Sequence, residues 1–224
     1  GSLFLSEKRH PERQRKVRTP FGTVQVFFSR SHYFIQRHTG AHLAPHAINH
    51  RANLLALKQL GVKDVIGISS SGSLKKSIRP GSLVVPSDYI DLFSGLSFFR
   101  ERVRHVTPCF DETLRKRIAA AVKRAGLKAF QKGVYFQTVG PRLETKAEVM
   151  LLKKHADIVG MTLGTEATLA KEIGLRYAGL CSVDNYANGL EKKQLTFEDV
   201  AETQKKSLEK IIKCIGEVIG ETTR

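Results

Sequence analysis

The sequence predicts a single α/β domain built on a mixed, mostly parallel and twisted sheet with helices on both faces. Segments with the apolar pattern of strands alternate with segments of helical spacing along the whole chain, which is typical of an α/β fold. No Pro- or Ser-rich linker, internal repeat or low-complexity tract divides the 224 residues. This length suits one domain of the larger sort, so we expect residues 1–224 to form one domain.

Each element rests on its own local signal. Strands are predicted where short apolar or alternating runs are bounded by turn residues, and helices where apolar side chains recur at helical spacing. Asp111 is a typical residue to precede a helix, whereas Gly61, Gly126 and Gly174 mark helix ends. The predicted strands are residues 23–29, 33–36, 64–68, 82–86, 133–138, 157–160 and 177–183. The predicted helices are residues 47–60, 111–125, 145–155, 165–173 and about 196–219.

Composition narrows the classes of function. The 37 Lys and Arg against 21 Asp and Glu give a formal charge of +16, which favours anionic partners such as nucleic acid, a membrane surface or a phosphate-bearing substrate. The basic residues are scattered and no aromatic RNA-binding signature lies among them, so a nucleic-acid partner is disfavoured. No apolar run approaches the roughly 18–20 residues of a membrane-spanning helix. Three widely separated cysteines favour a reducing compartment, and we therefore expect a cytoplasmic protein.

Polar segments that follow strand ends are the candidate binding residues, because ligands of such sheets bind beyond the carboxyl ends of the strands. Ser69–Gly72 combines small hydroxyl residues with Gly and could close around an oxyanion, although an ordinary loop fits equally well. Arg37 and His38 could add two fixed donors at another strand end. Glu144 and Asn185 could bind the edge of a heterocycle, but each also fits a helix start or a turn.

Other chemistries find no support. His42 and His46 are four residues apart, but Pro45 lies between them and no Glu follows His42 as the zinc-helix motif requires, so no metal site is expected. Cys181 lies inside an apolar strand and is better explained as core than as a nucleophile. No Gly-x-Ser-x-Gly sequence is present, which leaves a hydrolase triad unsupported.

Taken together, ordered blocks over nearly the whole chain resemble the methylthioadenosine/purine nucleoside phosphorylase family. The blocks are Gln36-Arg-His-Thr-Gly-Ala-His42, Pro45-His-Ala-Ile-Asn-His-Arg-Ala-Asn53, Ala56-Leu-Lys-Gln-Leu-Gly61, Ser71-Gly-Ser-Leu74, Arg79-Pro-Gly81, Tyr89-Ile-Asp91, Gly140-Pro-Arg-Leu-Glu-Thr145, Val159-Gly-Met-Thr162, Glu166-Ala167, Leu169-Ala170 and Tyr177-Ala178. The resemblance implies phosphorolysis of a purine nucleoside to the free base and a ribose 1-phosphate, or its 5-methylthio analogue. It implies inorganic phosphate as co-substrate, and neither a cofactor nor a metal.

The resemblance also implies roles for individual residues. Arg37, His38, Ser69 and Thr162 would bind phosphate. Met161 would lie against the ribose, and Ser70, Ser71 and Gly72 would line the base pocket. Leu143 would stack on the purine, and Glu144 and Asn185 would hold its edge. Asn185, Arg37 and His38 would form the catalytic set, with Asn185 donating to purine N7.

Substrate choice depends on Glu144 and Asn185. In this family, members with Glu and Asn at these positions act on 6-oxopurines. A carboxylate accepts a hydrogen bond from the N1–H group of a 6-oxopurine, and adenine lacks this N1–H group. A register shift of one residue would instead bring Asp184 to the base and favour adenine. The blocks around Pro45 and Gly140 are most similar to the methylthio branch, which implies 5′-methylthioinosine as substrate. The alternatives are a methylthioadenosine or general purine nucleoside phosphorylase and, from the charge and the unusual start, a degenerate member that binds nucleic acid or another ligand. His105 is the candidate residue at the 5′ end.

The start of the chain departs from the family pattern. Members usually begin with a strand and a Gly-rich phosphate loop, whereas this sequence starts at Gly1-Ser2. Either Ser2 is what remains of that loop and binds phosphate, or the loop and the first strand are missing. Family members of this size usually form trimers, sometimes hexamers, so a homo-oligomer is expected.

Overall fold

The computed structural model describes residues 13–38, 43–99, 101, 103–191 and 197–222. The strands are β1 (Arg13–Thr19), β2 (Gly22–Phe28), β3 (Tyr33–Phe34), β4 (Asp64–Ser73), β5 (Leu83–Val84), β6 (Asp88–Asp91), β7 (Ala129–Phe130), β8 (Val134–Gln137), β9 (Ile158–Gly160) and β10 (Arg176–Tyr186). The helices are α1 (His50–Gln59), α2 (Glu112–Arg124), α3 (Lys146–Leu152), α4 (Leu163–Glu172) and α5 (Phe197–Thr222), with a short 3-10 helix at Pro45–Ala47 before α1.

The main sheet has seven strands in the order β6-β8-β9-β4-β10-β5-β7. Four of its pairings are parallel (β6 with β8, β8 with β9, β4 with β10, β5 with β7), and two are antiparallel (β4 with β9, β5 with β10). The predicted mixed, mostly parallel sheet is therefore confirmed. A second sheet, β1-β2-β3, is antiparallel throughout.

Alternation along β10 explains why helices cover both faces of the main sheet. Tyr177, Cys181 and Val183 pack into one apolar cluster with α4 and Leu54 of α1. Ala178 and Leu180, on the opposite face, pack with α2 and α5. Successive side chains of a strand point to opposite faces, so an 11-residue apolar strand requires a cover on both sides.

Most predicted elements occur within a few residues of their expected positions, and Asp111 caps α2 by accepting a hydrogen bond from the Leu114 amide at 2.8 Å. Two differences matter. The Ser-rich run 69–73 continues β4 instead of forming a loop, since its backbone pairs with β10 from Ser69↔Cys181 to Ser73↔Tyr186. β1 was not predicted, because Arg13–Thr19 holds a single apolar side chain and is paired along its whole length as an exposed hairpin strand.

One edge of β4 borders a cavity. Over Asp64–Ser71, β4 pairs with β10 on one side only among the described strands. A cavity of about 730 Å³ lies along residues 64–68 and is lined by side chains of α1, β3 and α5. Among the described residues, no helix is long and apolar enough to cross a bilayer.

Gly67 allows the closest packing in β4. A methyl group there would lie 1.7 Å from the Tyr177 hydroxyl and 2.7 Å from Leu163. We expect Gly67→Ala to cost about 1–3 kcal/mol of unfolding free energy, as overpacked cores do. Thermal denaturation of Gly216→Ala is the matched control, because no described residue lies within 4 Å of a methyl group at this helical position. This variant should gain about 0.5–1 kcal/mol from helix propensity, and equal effects of the two changes would contradict the packing.

Candidate active site

The candidate residues gather where β4 and β9 diverge. These antiparallel strands pair only at Gly72↔Val159 and Ser73↔Ile158. Beyond that pair the side chains of Ser69 and Thr162 face each other, with their hydroxyl oxygens 3.4 Å apart. β8 and β9 run opposite to β4 and β10, so Ser69 and Thr162 meet across an antiparallel seam.

Arg37 is held rigidly beside this seam. Its Nε and Nη2 donate to the two carboxylate oxygens of Glu166 at 2.6 and 2.9 Å, and its Nη1 donates to the Ile68 carbonyl at 3.0 Å. Both side chains are buried. Among the described residues, three of the five guanidinium N–H groups find partners, which leaves two for an anion.

Glu166 is the centre of a buried network that sequence reasoning did not assign. Besides Arg37, it accepts from the Tyr177 hydroxyl at 2.5 Å and lies 3.3 Å from His50 Nδ1. Burial opposes ionisation, but the Arg37 guanidinium and His50 outweigh it and hold the pKa of Glu166 below its usual range. The sequence signal that could have identified Glu166 is a charged residue among the buried apolar positions of α4, between Leu163 and Ala170.

A hydrogen bond of His38 determines which of its two ring nitrogens carries the hydrogen. Its Nδ1 lies 2.6 Å from the Leu43 carbonyl oxygen, which can only accept, so Nδ1 carries the hydrogen. Burial is the main cause that lowers the pKa of His38, and Arg37 adds to it. In the neutral ring Nε2 is then an acceptor, suited to a protonated phosphate oxygen.

Thr162 is fixed by the core. Its backbone amide donates to the Tyr135 hydroxyl at 3.1 Å, and burial raises the pKa of Tyr135 to about 12. A Tyr hydroxyl of this kind stays neutral and orders the turn between β9 and α4. The two hydroxyls of Ser69 and Thr162 are therefore presented by two firmly held backbones.

Glu144 lies on the other side of the β9–α4 turn. Its Oε1 accepts from the Thr138 hydroxyl at 2.9 Å, and Thr138 in turn contacts the Gly160 carbonyl. The Asn188 amide donates to the Glu144 backbone carbonyl at 3.2 Å, which ties this loop to the end of β10. Within the described part of the chain, no donor is bonded to Oε2 of this buried carboxylate.

Asn185 reaches this neighbourhood through a β-bulge. Val183 pairs with Ser71 and Asn185 with Gly72, so Asp184 is the extra residue. The Asn185 Nδ2 lies 3.2 Å from where a Cβ on Gly72 would stand, and it donates to the Tyr186 carbonyl at 2.9 Å. Within the described ranges, one N–H and the Oδ1 of this amide have no bonded partner and are available to a ligand.

Asp184 faces away from this region. Its Oδ2 accepts from the hydroxyls of Ser70 and Ser182, and Ser70 also accepts from Gln204 of α5 at 3.1 Å. The alternative register, in which Asp184 faces a base, does not occur. The Ser71 hydroxyl donates to the Ser182 carbonyl at 2.7 Å, so Ser70 and Ser71 have their side chains engaged within the protein.

The remaining predicted site residues are described by their packing or their exposure alone. Met161 packs over Gly140, since a Cβ on that glycine would lie 2.6 Å from its sulfur. Leu143 is 55% exposed, and His105 is exposed. Ser2 lies outside the described residues.

The structure thus places two sets of candidate residues around residues 159–162. We call Arg37, Ser69 and Thr162 the cationic group, and Glu144 and Asn185, which reach β9 through Thr138 and Gly72, the acid and amide group. In the described ranges, no three His, Cys, Asp or Glu side chains gather as a metal site.

Comparison with solved structures defines the class of this fold. Methylthioadenosine phosphorylase from Schistosoma mansoni in complex with adenine superposes with a TM-score of 0.84 at 26% identity, covering 93% of this chain and 85% of that chain. The fold is therefore that of the nucleoside phosphorylases.

Sequence comparison gives the family. Residues 4–220 match the Phosphorylase superfamily, and the chain belongs to this family, which confirms the resemblance drawn from the motifs. A probable 6-oxopurine nucleoside phosphorylase from Archaeoglobus fulgidus is 44% identical over 212 residues, covering 92% of this chain and 87% of that protein. A probable S-methyl-5′-thioinosine phosphorylase from Methanopyrus kandleri is 40% identical over 220 residues, covering 92% and 86%.

Proposed function

We propose that the protein cleaves a 6-oxopurine nucleoside with inorganic phosphate, and that 5′-methylthioinosine is its preferred substrate. The observation that carries this proposal is that the end of β9 borders both sets of candidates: Thr162 faces Ser69, and Thr138 bonds both the Gly160 carbonyl and the buried Glu144. The relatives named above carry the same two activities in their names. The enzyme is accordingly a pentosyltransferase.

The acid and amide group fits a 6-oxopurine. Glu144 Oε2 can accept from N1–H, which hypoxanthine and guanine carry and adenine does not. The free N–H of Asn185 can donate to N7, where negative charge grows as the base departs. Leu143 would cover the face of the ring, and the backbone of Ser70–Gly72 would border it.

The cationic group fits phosphate. The two free N–H groups of Arg37, the hydroxyls of Ser69 and Thr162, and Nε2 of His38 supply donors and one acceptor around an anion. Glycosidic cleavage passes through a state in which positive charge develops on the sugar. An oxyanion beneath the sugar stabilises that charge and supplies the nucleophile, so the protein itself needs to supply only positions and electrostatics.

The 5′ side of the substrate is assigned to residues 93–110. Phe93 packs against Phe136 with ring centroids 6.4 Å apart, which gives this segment an apolar contact with β8. A methylthio group favours such surroundings, whereas a 5′-hydroxyl requires a polar partner. We assign His105 and Met161 to the 5′ and ribose contacts of this pocket.

We also propose that the protein acts as a cytoplasmic homotrimer or hexamer. The exposed apolar side chains Val139, Leu143, Met150 and Leu151 lie close in sequence around the candidate base loop. Sedimentation of the purified chain tests the oligomer directly. A monomer at micromolar concentration would refute this part.

The assay for the substrate compares methylthioinosine, inosine, guanosine and methylthioadenosine, each with and without phosphate, by release of free base. We expect release only with phosphate, fastest for methylthioinosine and slowest for methylthioadenosine. Fastest release from methylthioadenosine would overturn the 6-oxopurine assignment while leaving phosphorolysis intact.

Glu144→Gln tests the carboxylate alone. A Gln side chain keeps the shape but offers a weaker acceptor, and we expect kcat/KM for inosine to fall about 100-fold or more. The control is Glu217→Gln, because Glu217 is a partly exposed residue of α5 that pairs with Arg124 and should leave kcat/KM unchanged. Equal kinetics for Glu144→Gln and wild type would remove Glu144 from base recognition.

A further inference from the structure

A buried polar cluster lies between the end of β10 and α5, on the far side of the sheet from Ser69 and Thr162. We call Ser70, Ser182, Asp184, Gln204 and Ser207 the β10–α5 cluster. Ser182 donates to Asp184 at 3.1 Å, and Gln204 donates to Ser70 at 3.1 Å. Asp184 is 2% exposed and Ser207 is 0% exposed. The function proposed above does not use these side chains.

Two atoms of this cluster lack a hydrogen-bond partner. They are Asp184 Oδ1 and Ser207 Oγ, and they are the unpartnered buried side-chain polar atoms of the described residues. Buried polar atoms are almost always paired, and an unpaired carboxylate oxygen in the interior is costly. Both atoms belong to the same cluster, one at the end of β10 and the other on α5, so a single hydrogen bond between the carboxyl and the Ser207 hydroxyl would satisfy the two together.

The electrostatics of the cluster agree with a neutral acid. Burial raises the pKa of Asp184 above its ordinary value, and the hydrogen bonds from Ser70 and Ser182 only partly offset this. Among the described residues, the Asp184 carboxyl is bonded by the Ser70 and Ser182 hydroxyls and forms no ion pair. A carboxyl held in this way stays protonated more readily than one in water.

The cluster is coupled to the site through the bulge. Asp184 is the extra residue between the pairs Val183↔Ser71 and Asn185↔Gly72, and a bulge of one residue redirects the side chain that follows. The anchored carboxyl therefore fixes where Asn185 leaves the strand.

We propose that Asp184 is a positioning residue for the purine edge: as a neutral acid it donates to Ser207, ties the bulge to α5 and so sets the Asn185 amide beside Gly72. The inference rests on the proposed function, since it assigns the purpose of this anchoring to base recognition. A neutral acid also avoids placing a negative charge beside a base that becomes anionic as it departs.

The test compares Asp184→Ala with Asp184→Asn. An Asn amide can donate to Ser207 and accept from Ser70 and Ser182, so we expect this variant to keep wild-type behaviour within about threefold. Asp184→Ala should raise the Kd for hypoxanthine, measured by calorimetry with phosphate present, and the KM for inosine by about 10- to 100-fold. The KM for phosphate should stay within about twofold, and amide hydrogen exchange at residues 184–187 should become faster.

The outcomes distinguish a failure of this inference from a failure of the proposed function. Asp184→Asn losing hypoxanthine as strongly as Asp184→Ala would show that the ionised carboxylate is needed and would overturn the proposal. If Asp184→Ala has a lower melting temperature but an unchanged Kd for hypoxanthine, Asp184 has a structural role only, and the proposal is overturned. If wild type neither binds hypoxanthine nor turns over, the proposed function itself fails, whereas faster exchange at residues 184–187 still reports on the bulge.

Two further variants keep the proposal testable if Asp184→Ala fails to fold. Ser207→Ala removes the acceptor and keeps the carboxyl, and it should weaken hypoxanthine binding in the same direction as Asp184→Ala. Asp64→Asn is the matched control, because Asp64 lies at the opposite end of the same strand pair and bridges Arg117 and Arg176. It should affect the melting temperature alone, and an equal rise in hypoxanthine Kd would refute the positional argument.

Discussion

Asn185→Ala is expected to lower kcat for inosine about 100- to 1,000-fold, with a small change in the KM for phosphate. The size follows from removing one donor aimed at charge that develops in the transition state. The structure gives this donor a fixed direction, since the amide is anchored to the Tyr186 carbonyl at 2.9 Å and lies against Gly72. Steady-state kinetics with each substrate varied in turn measure the effect.

Asn185→Asp gives the complementary result. A carboxylate at this position favours 6-aminopurines, so we expect the ratio of kcat/KM for methylthioadenosine over methylthioinosine to rise. Pairing it with Asn185→Ala separates loss of a donor from gain of an acceptor. A kcat for Asn185→Ala within threefold of wild type would contradict the catalytic role of the amide.

Arg37→Ala has the largest expected effect on stability, about 3–5 kcal/mol, because it leaves the buried Glu166 carboxylate without its bidentate partner. For a chain of this size each kcal/mol lowers the melting temperature by roughly 2–4 °C. Arg117→Ala is the control, since its bridge to Asp64 at 2.9 Å is partly exposed and such pairs contribute about 1 kcal/mol or less. Similar losses in both variants would contradict the buried pair.

Arg37→Lys separates stability from phosphate binding. It keeps the charge but cannot bind Glu166 in bidentate fashion and still direct two N–H groups at an anion. We expect the KM for phosphate to rise at least tenfold in this variant, while the KM for inosine changes little. A phosphate KM equal to that of wild type would show that Arg37 serves Glu166 alone.

The sequence allowed much of the main sheet to be predicted, because its apolar strands and helices carry strong periodicity. β10 and α2 were predicted well, since each has an uninterrupted apolar pattern with clear turn or cap residues at its ends. β1 escaped prediction because an exposed hairpin strand needs few apolar residues. The Ser-rich end of β4 escaped because polar side chains in a buried strand satisfy one another, as the bond from Ser71 to the Ser182 carbonyl shows.

The candidate site was predictable in composition but not in arrangement. Glu144 and Asn185 were selected through the family resemblance, since their chemistry alone fits a helix start or a turn equally well. The antiparallel run of β9 against β4 could not be foreseen, since local patterns do not specify which strands pair. The bulge at Asp184 could not be foreseen either, although it determines on which face of the sheet the side chains of Asp184 and Asn185 lie.

The most direct measurement follows methylthioinosine and inorganic phosphate by phosphorus NMR with the purified enzyme. Our account predicts that the phosphate resonance declines as a sugar 1-phosphate resonance appears, in equal amount to the hypoxanthine released. Hypoxanthine released without consumption of phosphate would show that water is the nucleophile, and it would contradict the central claim.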